Sequence, residues 1–206
     1  MKISNARFIT SAATPSQFFR SDKPIIAVVG KSNVGKSSFI NMLASARKLA
    51  RTSSEPGRTR LVNYFDFGDF ILADLPGYGY AKVSKEEKEK WGRTLEAFFA
   101  DRRNAAYVLS LLDIRHAPTR DDVTMVNFMH SSAFSYCFIA TKADKIPKTQ
   151  IKTRVKDIAK FLKVTEYNII PTSAETGFGK DEVLKKIGAV LEALRSAAVE
   201  EETEKL

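Results

Sequence analysis

Gly30-Lys31-Ser32-Asn33-Val34-Gly35-Lys36-Ser37, with Ser38 after it, follows the apolar, β-branched run at 25–29 (IIAVV). It precedes a stretch with apolar residues at helical spacing, Phe39, Ile40, Leu43 and Ala46. Strand, glycine-rich loop and helix in that order form the setting in which G-x-x-x-x-G-K-[ST] cradles phosphates. The glycines let backbone N–H groups turn inward, and the positive end of the helix dipole adds to the attraction. In this motif Lys36 reaches the β- and γ-phosphates and Ser37 holds Mg²⁺. A glycine-rich strand–helix turn without a ligand would require neither Lys36 nor Ser37.

Outward from this loop, strand-like and helix-like patterns alternate. Residues 61–67 and 70–74 flank Gly68-Asp69 and predict two strands joined by a tight hairpin. Ser84-Lys85-Glu86-Glu87 is a capping-box pattern opening a helix to about residue 103. Strands are predicted over 106–113, 135–141 and 168–173, and helices over 36–47, 118–130, 150–163 and 180–198. The alternation predicts an α/β fold of the phosphate-loop type: a mostly parallel, six-stranded sheet with one antiparallel edge strand and helices on both faces. Residues 1–23 read as an N-terminal extension, 24–196 as one domain and 197–206 as an acidic tail.

Several polar positions fall at the carboxyl ends of these strands, where ligands bind in such sheets. Asp74-Leu75-Pro76-Gly77 closes one of them. Asp74 is placed to reach Mg²⁺ through water, and Gly77 to offer its N–H to a γ-phosphate. In the polar loop Pro56-Gly57-Arg58-Thr59-Arg60, Gly57 lies near the nucleotide and Thr59 would complete the Mg²⁺ shell. Thr141-Lys142-Ala143-Asp144 and Thr172-Ser173-Ala174 each end a strand and resemble the base-recognition motifs of GTPases, usually written N-K-x-D and S-A-K, which implies the following roles. The Asp144 carboxylate matches guanine, accepting from N1–H and the 2-amino group. Adenine lacks that donor pair and would leave the carboxylate unpaired. Lys142 lays its stem along the base, and the N–H of Ala174 meets guanine O6. Five elements in this order point to a guanine nucleotide.

With GKSNVGKSSFIN, EPGRTR, DLPGYGYAKVSK, TKADK and PTSAETG on the page, the chain resembles the translation-factor-related GTPases. More narrowly it resembles the EngB/YihA/YsxC type of ribosome-assembly GTP-binding protein, over roughly residues 24–180. The resemblance implies a single G domain, Mg²⁺, cycling between GTP and GDP, and action in maturation of the large ribosomal subunit, with effects on division and growth. It also implies contact with ribosomal RNA or protein. Thr141 stands where the wider class carries Asn, which would brace both the phosphate loop and the base edge. Guanine specificity is expected to persist through Asp144, with micromolar affinity.

Where many GTPases place a water-orienting glutamine after D-x-x-G, this chain has Tyr78, inside Gly77-Tyr78-Gly79-Tyr80. An unperturbed phenol titrates near pH 10, so Tyr78 reads as a mobile aromatic surface rather than a base. Slow intrinsic hydrolysis follows, with Lys36, Thr59, Gly77 and Asn33 as the candidate catalytic set. Asn33 has two readings. Its carboxamide would ligate a K⁺ beside the β–γ bridge, or it shapes the loop as a turn residue.

The 206 residues carry 33 Lys+Arg against 24 Asp+Glu, a formal charge of +9. Residues 1–60 hold eleven basic and two acidic side chains, so the whole excess sits there. Arg47, Lys48, Arg51, Arg58 and Arg60 crowd the loop expected to order on γ-phosphate binding, which suggests a nucleotide-gated RNA surface. Tyr78, Tyr80, Lys82 and Lys85 interleave aromatic and basic groups, as RNA-stacking platforms do, or pack on their own helix. Trp91, Leu95, Phe98 and Phe99 recur at helical spacing and read as core. Asp113, Arg115, His116 and Asp121 read as capping and turn residues.

A single cysteine, Cys137, within a predicted buried strand excludes a disulfide framework, and two histidines leave little for a His-ligated metal. No stretch reaches the roughly 18 apolar residues of a membrane span, and the N-terminus has no apolar run suited to a signal peptide. A cytoplasmic monomer without membrane attachment is expected. Two other readings share the phosphate loop: a nucleoside or small-molecule kinase, which leaves TKAD and DLPG unexplained, and an RNA-binding module that GTP merely orders.

Overall fold

The structure is a computed structural model that describes residues 1, 3, 5–50, 61–79 and 85–203. Seven strands form one sheet: β1 (Arg7–Ala12), β2 (Ile25–Gly30), β3 (Val62–Asp66), β4 (Ile71–Asp74), β5 (Tyr107–Asp113), β6 (Tyr136–Thr141) and β7 (Ile169–Pro171). Their order is β1-β3-β4-β2-β5-β6-β7. The pairs from β4 through β7 are parallel, whereas β3 is antiparallel to both β4 and β1. The count is therefore seven rather than the expected six, and β3 lies second from the edge.

The added strand comes from the residues read as an extension. β1 pairs with β3 from Arg7 opposite Asp66 to Ala12 opposite Val62, with a register shift between Phe8 and Thr10. Its polar, β-branched composition has no strict alternation, which is why periodicity does not mark it as a strand. The same segment contributes Phe18, 7% exposed, whose ring meets Phe98 edge-on at 5.4 Å.

Five helices cover the sheet: α1 (Lys36–Leu43), α2 (Lys85–Ala100), α3 (Arg120–Ser131), α4 (Lys148–Leu162) and α5 (Lys180–Thr203). Alternation along β2 divides the core. Ile25, Ala27 and Val29 point into one layer with Phe98 and Phe99 of α2, Met125 and Met129 of α3, and Ile158 and Leu162 of α4. Ile26 and Val28 point into the other, with Phe39 and Leu43 of α1 and Ile187 and Leu191 of α5. Among the described residues, no helix is long and apolar enough to cross a membrane.

Two helix boundaries differ from expectation. α1 stops at Leu43 rather than 47, because Ser45 takes a left-handed backbone (φ 53°) and the chain turns back on itself. The buried Asn41 fixes that return: its amide donates to Ala50 O at 2.8 Å, and Ala50 N–H donates to Asn41 Oδ1 at 2.7 Å. α5 runs on to Thr203, through most of the segment read as a tail. The hairpin forms as expected. Phe67 N–H donates to Phe70 O at 3.0 Å, and Asp66 Oδ1 accepts from Gly68 N–H at 2.9 Å.

Candidate guanine-nucleotide site

The phosphate loop leaves β2 and enters α1 through Gly35, whose φ of 103° caps the helix in a left-handed conformation. An L side chain is strained there, so glycine is required by the backbone rather than by space. Val34 is buried and tethers the loop from below. Its carbonyl accepts from Thr141 Oγ1 at 2.6 Å, and that hydroxyl also lies 3.0 Å from Leu112 O. The hydroxyl thus braces the phosphate loop itself, the task expected of an asparagine at this position.

Lys142 supplies a second tether. It adopts φ 62°, and its ammonium donates to Asn33 O at 2.8 Å while lying 2.9 Å from Asp113 Oδ2. Arg115 holds Asp113 from the other side at 2.7 Å. Burial alone would raise the Asp113 carboxyl, but Arg115 and Lys142 outweigh it and hold it down at about 2. Asp113 therefore acts as the orienting anion of the base-site lysine, a role beyond the turn function expected of it. His116 takes a turn position, its N–H donating to Asp113 O at 3.2 Å.

Asp144 sits in the short 3-10 turn after Lys142. Ser173 Oγ donates to its Oδ1 at 2.7 Å, and Lys145 Nζ lies 3.0 Å from its Oδ2. The Ser173 hydroxyl, followed by Lys145, holds the carboxyl below its ordinary range, so it stays ionised. Ala143 N–H donates to Thr172 O and Thr172 N–H to Ala140 O, which draws the TKAD and TSA segments together. Ala174 follows in the exposed turn that Gly177 N–H closes onto Ser173 O at 2.9 Å. The TKAD and TSA segments singled out from sequence thus lie side by side.

At the phosphate end, the Lys36 ammonium touches Asp74 Oδ1, with side chains 11% and 5% exposed. Gly77 runs against the loop: a Cβ there would lie 3.3 Å from both N and Cα of Ser32. Ser32 N–H donates to Tyr78 O at 2.8 Å, and Tyr78 N–H to Gly30 O at 3.2 Å, so the DLPGY segment is zipped to the phosphate loop. Ser37 lies on the first turn of α1. Asn33 is exposed with φ 62°, a left-handed position that asparagine tolerates better than most residues. Gly57 and Thr59 lie outside the described residues, as do Arg51, Arg58, Arg60, Tyr80, Lys82 and the side chains of Lys85 and Trp91.

Tyr78 departs from expectation. It is no mobile surface group but 3% exposed, its hydroxyl donating to Asp122 Oδ1 at 2.8 Å. Burial, then the Asp122 charge, pushes the phenol well above its ordinary value. Asp122 is in turn the third residue of α3, and its Oδ2 accepts from both N–H and Oγ1 of Thr119 at 2.7 Å. Nothing local in GYGY signals this, because the partner lies 44 residues away.

Comparison with known proteins agrees with this geometry. Residues 25–142 match the family described as 50S ribosome-binding GTPase. The probable GTP-binding protein EngB of Exiguobacterium sp. is 45% identical over 193 residues, covering 93% of this chain and 98% of that protein. Its counterpart in Geobacillus kaustophilus is 43% identical over 184 residues, covering 88% and 94%. Among solved structures, a probable GTP-binding protein engB superposes with a TM-score of 0.69 at 24% identity, over 82% of this chain and 99% of that one. Era in complex with MgGDPNP and nucleotides 1506–1542 of 16S ribosomal RNA superposes with a TM-score of 0.64 at 26% identity, over 80% and 55%. A phosphate loop braced by Thr141, an Asp144 carboxyl held ionised and relatives over nearly the full length agree: the chain is a GTP-binding GTPase and belongs to the EngB family.

Proposed function

We propose that this GTPase is a switch in assembly of the large ribosomal subunit, needed for normal growth and division, with slow hydrolysis until a ribosomal particle engages it. The observation that carries the slow rate is the Tyr78 hydroxyl: it is committed to Asp122 inside the core and leaves no side chain there to orient water. The ribosomal role is supported by the family's description as 50S ribosome-binding GTPases and by the RNA held by Era.

The residues suit a nucleotide triphosphate with Mg²⁺. Ser37 and Asp74 offer the hard oxygen donors that Mg²⁺ prefers, with Thr59 as the third, and the Gly77 backbone lies too close to Ser32 for a side chain to intervene. When bound, Mg²⁺ neutralises charge building on the β- and γ-oxygens. With nucleotide and metal bound, Lys36 would exchange its Asp74 contact for phosphate oxygens, leaving the Asp74 carboxylate to help hold the metal. The Gly77 N–H binds a γ-oxygen, while Lys142 and Asp144 fix the guanine so that the phosphates lie along the loop. Water attacks the γ-phosphorus, the bond to the β–γ bridging oxygen breaks, and GDP and phosphate leave. A K⁺ ligated by Asn33 would stabilise the charge on that bridging oxygen.

Phosphate release measured with and without large-subunit particles tests the proposal. We expect stimulation by the particles, of about 10³-fold or more if a cation is completed at the site. No stimulation, with RNA bound only in the GTP state, would favour an RNA-binding module that GTP orders. Equal stimulated rates in KCl and NaCl would leave Asn33 with a conformational role alone. The protein is proposed to act as a cytoplasmic monomer.

A further inference from the structure

Folding creates a second basic surface that the charge tally along the chain conceals. Residues 61–206 are neutral overall, yet α4 and its cap hold Lys148, Lys152, Arg154, Lys156, Lys160 and Lys163 against the single acid Asp157. Arg154 turns inward, donating from Nε to Ile114 O at 3.0 Å. Lys148, Lys152, Lys156 and Lys160 are all exposed. They recur every four residues, so they form a stripe about 18 Å long that winds slowly around the helix. The ion pairs among the described residues include none of the four.

Like charges at i and i+4 destabilise a helix, so this arrangement works against the helix that carries it. Two exposed aromatic rings belong to the same region, one on α4 and one on the 3-10 turn (Glu166–Asn168) that follows it. Phe161 is 53% exposed, and Tyr167, on the 3-10 turn packed against α4, is 96% exposed. Glu166 is the one acid beside them on that turn. The apolar face of α4, Val155, Ile158, Ala159 and Leu162, is buried in the core. It is unavailable to a bilayer, into which a surface-binding helix must insert its apolar side. Exposed ammonium groups together with exposed aromatic rings match a polyanion that has both phosphates and bases.

We propose that this face of α4 is an RNA-docking surface, independent of bound nucleotide, in which Lys148, Lys152, Lys156 and Lys160 track the backbone and Phe161 and Tyr167 stack on unpaired bases. It lies across the sheet from α1. The proposal deepens the ribosomal reading but does not need particles to be tested.

Fluorescence anisotropy of the full-length protein with a labelled 20-nucleotide single-stranded RNA, in GDP and across a salt series, provides that test. In the variant K148A/K152A/K156A/K160A we expect affinity to fall at least tenfold. The slope of log K against log salt should become shallower by about 3, at roughly 0.7 per phosphate contact. GDP binding and thermal stability should be retained, since the four side chains are exposed and mutually repulsive. F161A/Y167A should lower affinity about fivefold or more with the slope unchanged. Unchanged RNA affinity in the lysine variant overturns the proposal. So does lysine-dependent binding to phosphatidylserine vesicles without RNA binding. Loss of RNA binding by the variant while particles still fail to stimulate hydrolysis would sustain this surface and overturn the switch.

Discussion

The Tyr78 hydroxyl donates to Asp122 Oδ1 at 2.8 Å, and the same carboxylate caps α3 through Thr119. One acid therefore joins the segment that follows Asp74 to the start of a helix on the far side of β5. The residue standing in the place of a catalytic glutamine is a structural strut, and the path of the DLPG turn against the phosphate loop depends on it.

Tyr78→Phe removes the donor and leaves Asp122, 6% exposed, with Thr119 as its remaining cap. A hydrogen bond to a buried charge contributes about 1–3 kcal/mol, so melting should fall by several degrees. Basal phosphate release should stay within about twofold. A collapse of turnover with unchanged stability would give the hydroxyl a part in the chemistry.

Ser173→Ala frees Asp144 Oδ1 from its hydroxyl donor. GDP should bind about tenfold less tightly, corresponding to about 1.4 kcal/mol. The sign of the pH effect follows from the depressed carboxyl: the charge that reads guanine persists as pH falls, and removing Ser173 raises that pKa toward its ordinary value. The acid limb of GDP binding should therefore move to higher pH. Titration calorimetry at several pH values decides this, and an unmoved limb would show that Ser173 does not tune the carboxylate.

Phe18→Ala empties the site against Phe98 and should cost about 3 kcal/mol, lowering melting by roughly 6–12 °C. Calorimetric melting of this variant tests whether residues 1–23 fold as part of the domain. A change below 1 °C would mean that the segment is an appendage.

Cys137 is fully buried, and burial pushes its thiol up to about 11. Ellman's reagent at pH 8 should therefore react with it only after denaturation. Rapid labelling of the native protein would expose an opening of the β5 and β6 region.

Much of the nucleotide site was legible because each part is local. Strand, glycine-rich loop and Lys36-Ser37 are contiguous, and the TKAD and TSA segments proposed to read guanine span a few residues each at successive strand ends. The role of Asp113 was legible only in outline, since an acid after a strand has many uses until Lys142 is placed 2.9 Å away. The bracing role of Thr141 is not legible in the sequence because its partner, the Val34 carbonyl, lies 107 residues earlier in the chain.

By itself, the sequence determined the α/β alternation, the phosphate-loop motif, the carboxylate proposed to read guanine and the absence of a glutamine after DLPG. These depend on periodicity, backbone permissiveness and functional-group chemistry within short windows. Only the tertiary structure decided that residues 7–12 complete the sheet, that Tyr78 is buried on Asp122, and that four lysines of α4 line up in solvent. Each of those depends on which surfaces long-range packing buries, and a chain that is neutral over 146 residues can still present a strongly basic face once folding has sorted its charges.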